Sequence, residues 1–162
     1  MRVALLAALA VAGCSSSVSL DDLTIDYHWR DGSRPPPYHY EYDIKLDRDG
    51  KGRIAYRPDY SPQPEWVEEF TASAEAMARV RTCAGDAGVF TRSWNEQKNP
   101  PVGGAYSWMD AKAGGRSVRT PAFPESGSLG DVNRAVEESV PAAVWASLKE
   151  RREKYMAEHP RK

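Results

Sequence analysis

The sequence predicts an α+β domain: a mainly antiparallel sheet from two hairpin regions packed on a central helix, with two C-terminal helices. Three patterns predict it. Residues 38–47 alternate strictly, with Tyr38, Tyr40, Tyr42, Ile44 and Leu46 on one face and His39, Glu41, Asp43, Lys45 and Asp47 on the other. Period two is the mark of a strand with one buried face. A second pair of alternating runs meets at Gly114-Gly115, a two-residue hairpin turn. Between these regions Ala76, Met77, Val80, Cys83, Ala84 and Ala87 recur at helical spacing.

Taken in order, residues 1–13 come first. Arg2 precedes an apolar run over residues 3–11, followed by the small residues Ala12 and Gly13 and then Cys14. This is the layout of a secretory signal. The run is too short to span a hydrocarbon core, which needs about 20 apolar residues. Val11-Ala12-Gly13-Cys14 resembles the lipobox of bacterial lipoproteins: an aliphatic residue, a small residue, Gly/Ala/Ser, then Cys. The resemblance covers the first fourteen residues. It implies cleavage before Cys14, diacylglycerol on the Cys14 sulfur, and an acyl chain such as palmitate on the new amino group. Two or three chains give lasting attachment, at ~0.8 kcal/mol per buried methylene. Residues 14–23 then form the lipidated Cys and tether, with Ser15-Ser16-Ser17 as its polar part. In enteric-type lipoproteins Asp after the Cys favours inner-membrane retention. Ser15 in that position implies the periplasmic side of the outer membrane in a diderm, and the outer face of the cell membrane in a monoderm.

Residues 24–150 read as a single domain. Ile25, Tyr27 and Trp29 alternate with Thr24, Asp26 and His28 in a first strand, and residues 30–37 (RDGSRPPP) form a loop. The strand at 38–47 turns at 49–52 and returns over 53–57, with Ile54 and Tyr56 on the apolar face. After a Pro-rich loop at 58–64, residues 65–70 suit a strand. Ser73 caps a helix running to Ala87, with Glu75 in its first turn and Gly85 and Gly88 ending it. Its Ala-rich face lets it lie close to the sheet, and Cys83 on that face is expected to be buried, reacting with thiol reagents only after denaturation.

Residues 95–104 (NEQKNPPVGG) form an exposed loop before the second hairpin. A turn at Gly114-Gly115 sets Asp110 opposite Arg119, Ala111 opposite Val118 and Tyr106 opposite Phe123. Asp131 starts a helix that turns Val132, Ala135, Val136 and Val140 inward. Pro141 suits the first turn of the last helix, where Val144, Trp145, Leu148 and Tyr155 face inward. The two C-terminal helices are expected to cover an edge or end of the sheet. Residues 151–162 read as a charged C-terminal tail.

Composition narrows the function classes. The chain has 162 residues, with 22 Lys and Arg against 23 Asp and Glu. A near-neutral body argues against nucleic acid as a partner. With Cys14 acylated, Cys83 is alone, so the fold rests on packing without an internal disulfide.

Constellations for chemistry are sparse. His28 and His39 stand near Asp26 and Glu41, but no close-spaced metal-ligand motif accompanies them, and neither metal nor cofactor is expected. A His can act as a general base, but no nucleophile elbow is present: Ser126-Gly127-Ser128 lacks the spacing and reads as a loop before a helix. Asp47-Arg48-Asp49-Gly50 has Lys51 and Pro58 where calcium-ligand oxygens belong, so it reads as a turn. Tyr38, Tyr40 and Tyr42 would suit stacking on sugars, but Ile44 and Leu46 continue the same face, so the stripe reads as strand core. No catalytic residue is assigned. The expected contact surface is Trp94, Pro100, Pro101 and Trp108, because Pro-rich loops on a rigid sheet often carry binding.

These readings converge on a lipid-anchored, non-enzymatic cell-envelope protein that binds an envelope protein or cell-wall glycan. Two alternatives stand beside it: a lipid-anchored envelope enzyme using His28 or His39, and an inhibitor-like module against an envelope hydrolase.

Overall fold

A computed structural model describes residues 18–160. Cys14, the segment 1–13 and the last two residues lie outside them. The domain is α+β: a six-stranded antiparallel sheet covered by three helices.

The sheet follows from alternation. Strands β1 (Thr24–Arg30), β2 (Glu41–Leu46), β3 (Lys51–Arg57) and β4 (Trp66–Thr71) form a meander. The chain then crosses through α1 (Ala74–Ala87) and returns as β5 (Tyr106–Ala113), which pairs with the free side of β1. β6 (Arg116–Arg119) closes the far edge, giving the order β4-β3-β2-β1-β5-β6. On one face Ile25, Tyr27, Tyr42, Ile44, Leu46, Ile54, Tyr56, Met109, Ala111 and Ala113 are buried. The alternate residues, from Asp26 and His28 to Arg57 and Asp110, point to the other face. An antiparallel sheet tolerates one covered and one solvated face.

The second hairpin has the expected register, with Asp110 opposite Arg119 and Ala111 opposite Val118. Its return strand ends at Arg119; Tyr106 and Phe123 meet through their rings, 5.9 Å apart, beyond the ladder. In the β3–β4 pair Gly52 lies opposite Phe70. A Cβ on Gly52 would sit 2.2 Å from the Phe70 ring, so the ring occupies the place of a side chain.

Helix α1 starts where expected: Ser73 Oγ accepts from the Ala76 N–H at 3.2 Å. Met77, Val80 and Ala84 face the core. Gly85 does not end the helix, which continues to Ala87 and is capped by Gly88. Cys83 is only half-buried. It packs against the core at the margin of the apolar stripe and also borders a cleft with Arg79, Asp86 and Arg92.

Helix α2 (Gly130–Ser139) buries Val132, Ala135 and Val136. It lies across the covered face rather than at an edge: Glu137 accepts hydrogen bonds from the hydroxyls of Tyr27 (2.7 Å) and Tyr42 (2.8 Å). Asn133 donates to Ser107 Oγ on β5 at 2.9 Å. Helix α3 (Ala142–Glu158) begins after Pro141 and buries Leu148. It runs through most of the stretch that reads as a charged tail. Arg151 pairs with Glu68 at 2.6 Å, and the Arg152 guanidinium lies 4.2 Å over the Tyr40 ring. Tyr155 meets Trp66 edge-on. Long charged side chains pack by their stems while their heads stay polar, which a count of charges does not anticipate. All three helices therefore lie on one side, and no helix or strand of the described residues layers over the opposite face of the sheet.

Candidate functional site

The uncovered face is built by register. Across β1 and β2, His28 stands opposite Asp43 and Arg30 opposite Glu41; across β2 and β3, Glu41 stands opposite Arg57. Directly opposed side chains on one face lie close enough to bond. Here they join into one network.

Asp43 is its centre. Oδ1 accepts from His28 Nδ1 at 2.7 Å and from Arg30 Nη1 at 2.9 Å; Oδ2 accepts from Arg57 Nη2 at 2.8 Å. Arg57 reaches onward to Glu65 Oε1 at 3.0 Å, and Glu41 Oε2 takes both Arg30 Nε at 2.5 Å and Arg57 Nη2 at 3.2 Å. Burial pushes the Asp43 carboxyl up, but the bonds from His28 and Arg57 and the Arg30 charge outweigh it and hold the group well below the ordinary range.

An ionised carboxylate only accepts, so the bond to Asp43 makes Nδ1 of His28 the donor. Nε2 turns toward Asp26 (3.8 Å) and Asp110 (3.9 Å). The imidazole stacks on Trp108, ring centroids 4.8 Å apart, and the Arg30 guanidinium lies 5.0 Å from the same indole.

Clefts lie at the two ends of this face. One, about 630 Å³, opens where β1 begins, among Asp26, Lys45, Arg53, Glu69 and Asp110. The other, about 400 Å³, lies where β1 ends, with Arg30, His39 and Glu41 as its polar lining and Tyr60, Tyr106 and Phe123 as its aromatic walls. Loop 95–104 closes it. Gly32 has φ +66°, and a Cβ there would meet the Gly104 carbonyl oxygen at 2.1 Å, so only glycine lets the loop approach this closely.

His39 follows the parity of the polar face, as its position ahead of Glu41 and Asp43 dictates. It is nonetheless 3 % exposed rather than solvent-facing. The loop at 58–64 folds over it and stacks Tyr60 on the imidazole at 3.6 Å, while the Tyr60 hydroxyl bonds the Gly32 and Arg34 carbonyls. Among the described residues neither ring nitrogen of His39 has a hydrogen-bond partner; Nε2 is 3.6 Å from Glu41 Oε1. Beside it, burial raises the Asp31 carboxyl, partly opposed by Arg34, His39 and Arg152.

The residues expected to make the contact surface do not converge on one site. Trp94 and Trp108 border a shallow depression with Glu96, Arg119 and Thr120. Pro101 lines the His39 cleft, and Pro100 is exposed. Trp94 is held against the core, its Nε1 donating to the Val89 carbonyl at 3.0 Å. Arg30, Glu41, Asp43, Arg57 and Tyr60 carry the face, and apart from Glu41 none of them stands out by residue type or spacing. The available signal was parity: Asp26, His28 and Arg30 on one strand share a face with Glu41, Asp43 and Lys45 on the next.

Among the described residues, no three His, Cys, Asp or Glu side chains are grouped to hold a metal ion. None of their helices is long and apolar enough to cross a membrane. No family model matches the chain, and no curated protein is similar to it.

Proposed function

We propose that this is an envelope lipoprotein, held at a membrane surface by lipid on Cys14, whose domain binds a protein or cell-wall partner through the open face of its sheet. The observation that carries the reading is the uncovered face itself. Its charges are fixed by one another in a cross-strand network, with shape at both ends, so a partner meets groups that need little rearrangement on binding. The lipobox residues Val11-Ala12-Gly13-Cys14 support the anchored half of the reading, and the near balance of 22 basic and 23 acidic residues supports a partner other than nucleic acid. The anchor sits on the periplasmic side of the outer membrane in a diderm, or the outer face of the cell membrane in a monoderm.

The test is in-cell crosslinking from a photoreactive residue in place of Lys45, in wild type and in Cys14→Ala. The reading expects one defined adduct in the membrane fraction that the Cys14→Ala variant loses. Identical fractionation of the two would remove the anchor, and the absence of any adduct would remove the binding face.

A lipid-anchored enzyme is the second reading, and one geometry favours it. Asp43 holds Nδ1 of His28 at 2.7 Å, the orientation that leaves Nε2 free to take a proton. Its close neighbours are two carboxylates rather than a hydroxyl or thiol nucleophile. Replacing His28 and His39 by Ala tests this second reading: an unchanged cellular phenotype with a folded protein removes it.

A further inference from the structure

We infer that the cleft beside His39 is a subsite for one neutral sugar ring of a glycan. The inference rests on the reading of the open face as a binding surface and names its ligand class.

His39 is 3 % exposed and lines the cleft, and neither ring nitrogen has a hydrogen-bond partner among the described residues. A buried polar group without a partner is costly, and a ligand that reaches it on a small shift of the covering Tyr60 ring recovers that cost. A neutral imidazole offers one donor and one acceptor. Next to it, Glu41 commits Oε2 to Arg30 and Arg57, while Oε1 is 3.6 Å from His39 Nε2 and accepts no hydrogen bond from either arginine. Arg30 commits Nε and Nη1 to Glu41 and Asp43.

The charges at the cleft thus cancel. An anion meets the Glu41 carboxylate, and a cation meets the Arg30 guanidinium. A neutral ligand that both donates and accepts fits the remaining groups, as adjacent hydroxyls on one ring do. The walls agree: Tyr60 is 53 % and Tyr106 37 % exposed, and with Phe123 they make the lining of the cleft aromatic. Exposed aromatic rings stack on the C–H faces of sugars, so a polyhydroxylated ring satisfies walls and floor together. The loop at 95–104, held close at Gly32, closes one side.

The experiment is calorimetric titration of the detergent-solubilised full-length protein with chitotetraose and with maltotetraose. Binding of chitotetraose points to N-acetylglucosamine-containing wall glycan; binding of maltotetraose alone keeps the sugar subsite and points to another glycan. Tyr106→Ala and His39→Ala should weaken binding tenfold or more. His39→Gln, which retains a donor and an acceptor, should recover most of it, and Glu138→Ala on the helical side should stay within twofold of wild type. Because His39 is buried, Tyr106→Ala decides if His39→Ala does not fold. No binding of either oligosaccharide, or wild-type affinity in Tyr106→Ala, overturns the subsite. The crosslink from position 45 keeps the two levels apart: an adduct without saccharide binding overturns the sugar and leaves the binding face, while loss of both overturns both.

Discussion

Asp43 holds together three donors from the two strands beside its own, and its charge state decides how the face behaves with pH. A carboxyl held below its unfolded value, ~3.9, contributes stability that is complete above that value and lost as pH falls through the folded one. Asp31 has the opposite sign. Burial raises its carboxyl, so its ionised form opposes folding and its protonation on acidification removes that penalty. Replacing Asp43 by Asn removes the charge while keeping the size, leaving Arg30, Arg57 and His28 facing a neutral acceptor. Breaking a buried pair costs ~3–5 kcal/mol, and partial solvation of this site reduces that to about 2–3. The expected result is a loss of that size in urea unfolding at pH 7, with the gap from wild type narrowing below pH 4. A gap independent of pH would mean that the carboxylate charge contributes nothing.

At the scale of elements, the bond between sheet and helix is concentrated at Glu137. One carboxylate on α2 receives hydroxyls from the two central strands, and burial together with the Glu137 charge pushes both phenols well up, so they remain donors at any physiological pH. Replacing Glu137 by Ala strands two buried hydroxyls. Hydrogen bonds to charged groups contribute ~1.5–3 kcal/mol each, and the two share one acceptor, so a loss of about 3 kcal/mol is expected in thermal or urea unfolding. In Tyr27→Phe/Glu137→Ala the second change should cost less than alone; full additivity would show that the hydroxyl and carboxylate do not interact. Residues of this kind are invisible to pattern reading, because Glu137 looks like any solvated helix glutamate until the fold sets it against two tyrosines.

At the scale of the whole molecule, the three helices act as a single layer on one side of the sheet. The last turns of α3 belong to it. Truncation after Glu150 removes the Arg151–Glu68 pair, the Arg152 cover over Tyr40 and the Tyr155 contact with Trp66. The expected outcome is a stability loss of about 2 kcal/mol or more, a drop in Tm of several degrees for a domain of this size. An unchanged Tm would restore the reading of this stretch as a tail.

Much of the architecture is written locally. Alternation in β1, β2 and β5 sets which residues face the helices, because successive side chains on a strand point to opposite sides. Gly114-Gly115 sets the register of the second hairpin, and Ser73 marks the start of α1. These are short-range constraints, so neighbouring residues suffice to read them. The candidate site is different. Parity put His39 on the polar face, yet its burial depends on Tyr60 from one loop and on the approach of Gly104 to Gly32 from another, and those segments are distant in sequence. The Asp43 network needs three strands in register before any of its bonds exists. Likewise the last turns of α3 read as charged tail until Glu68, Tyr40 and Trp66 are brought beneath them. The strands, most of the helical turns and the inward face follow from periodicities that act within a few residues. Which face stays open, which charges meet across it and where the clefts lie follow only from the folded arrangement, because each depends on contacts between segments whose separation along the chain carries no local signal.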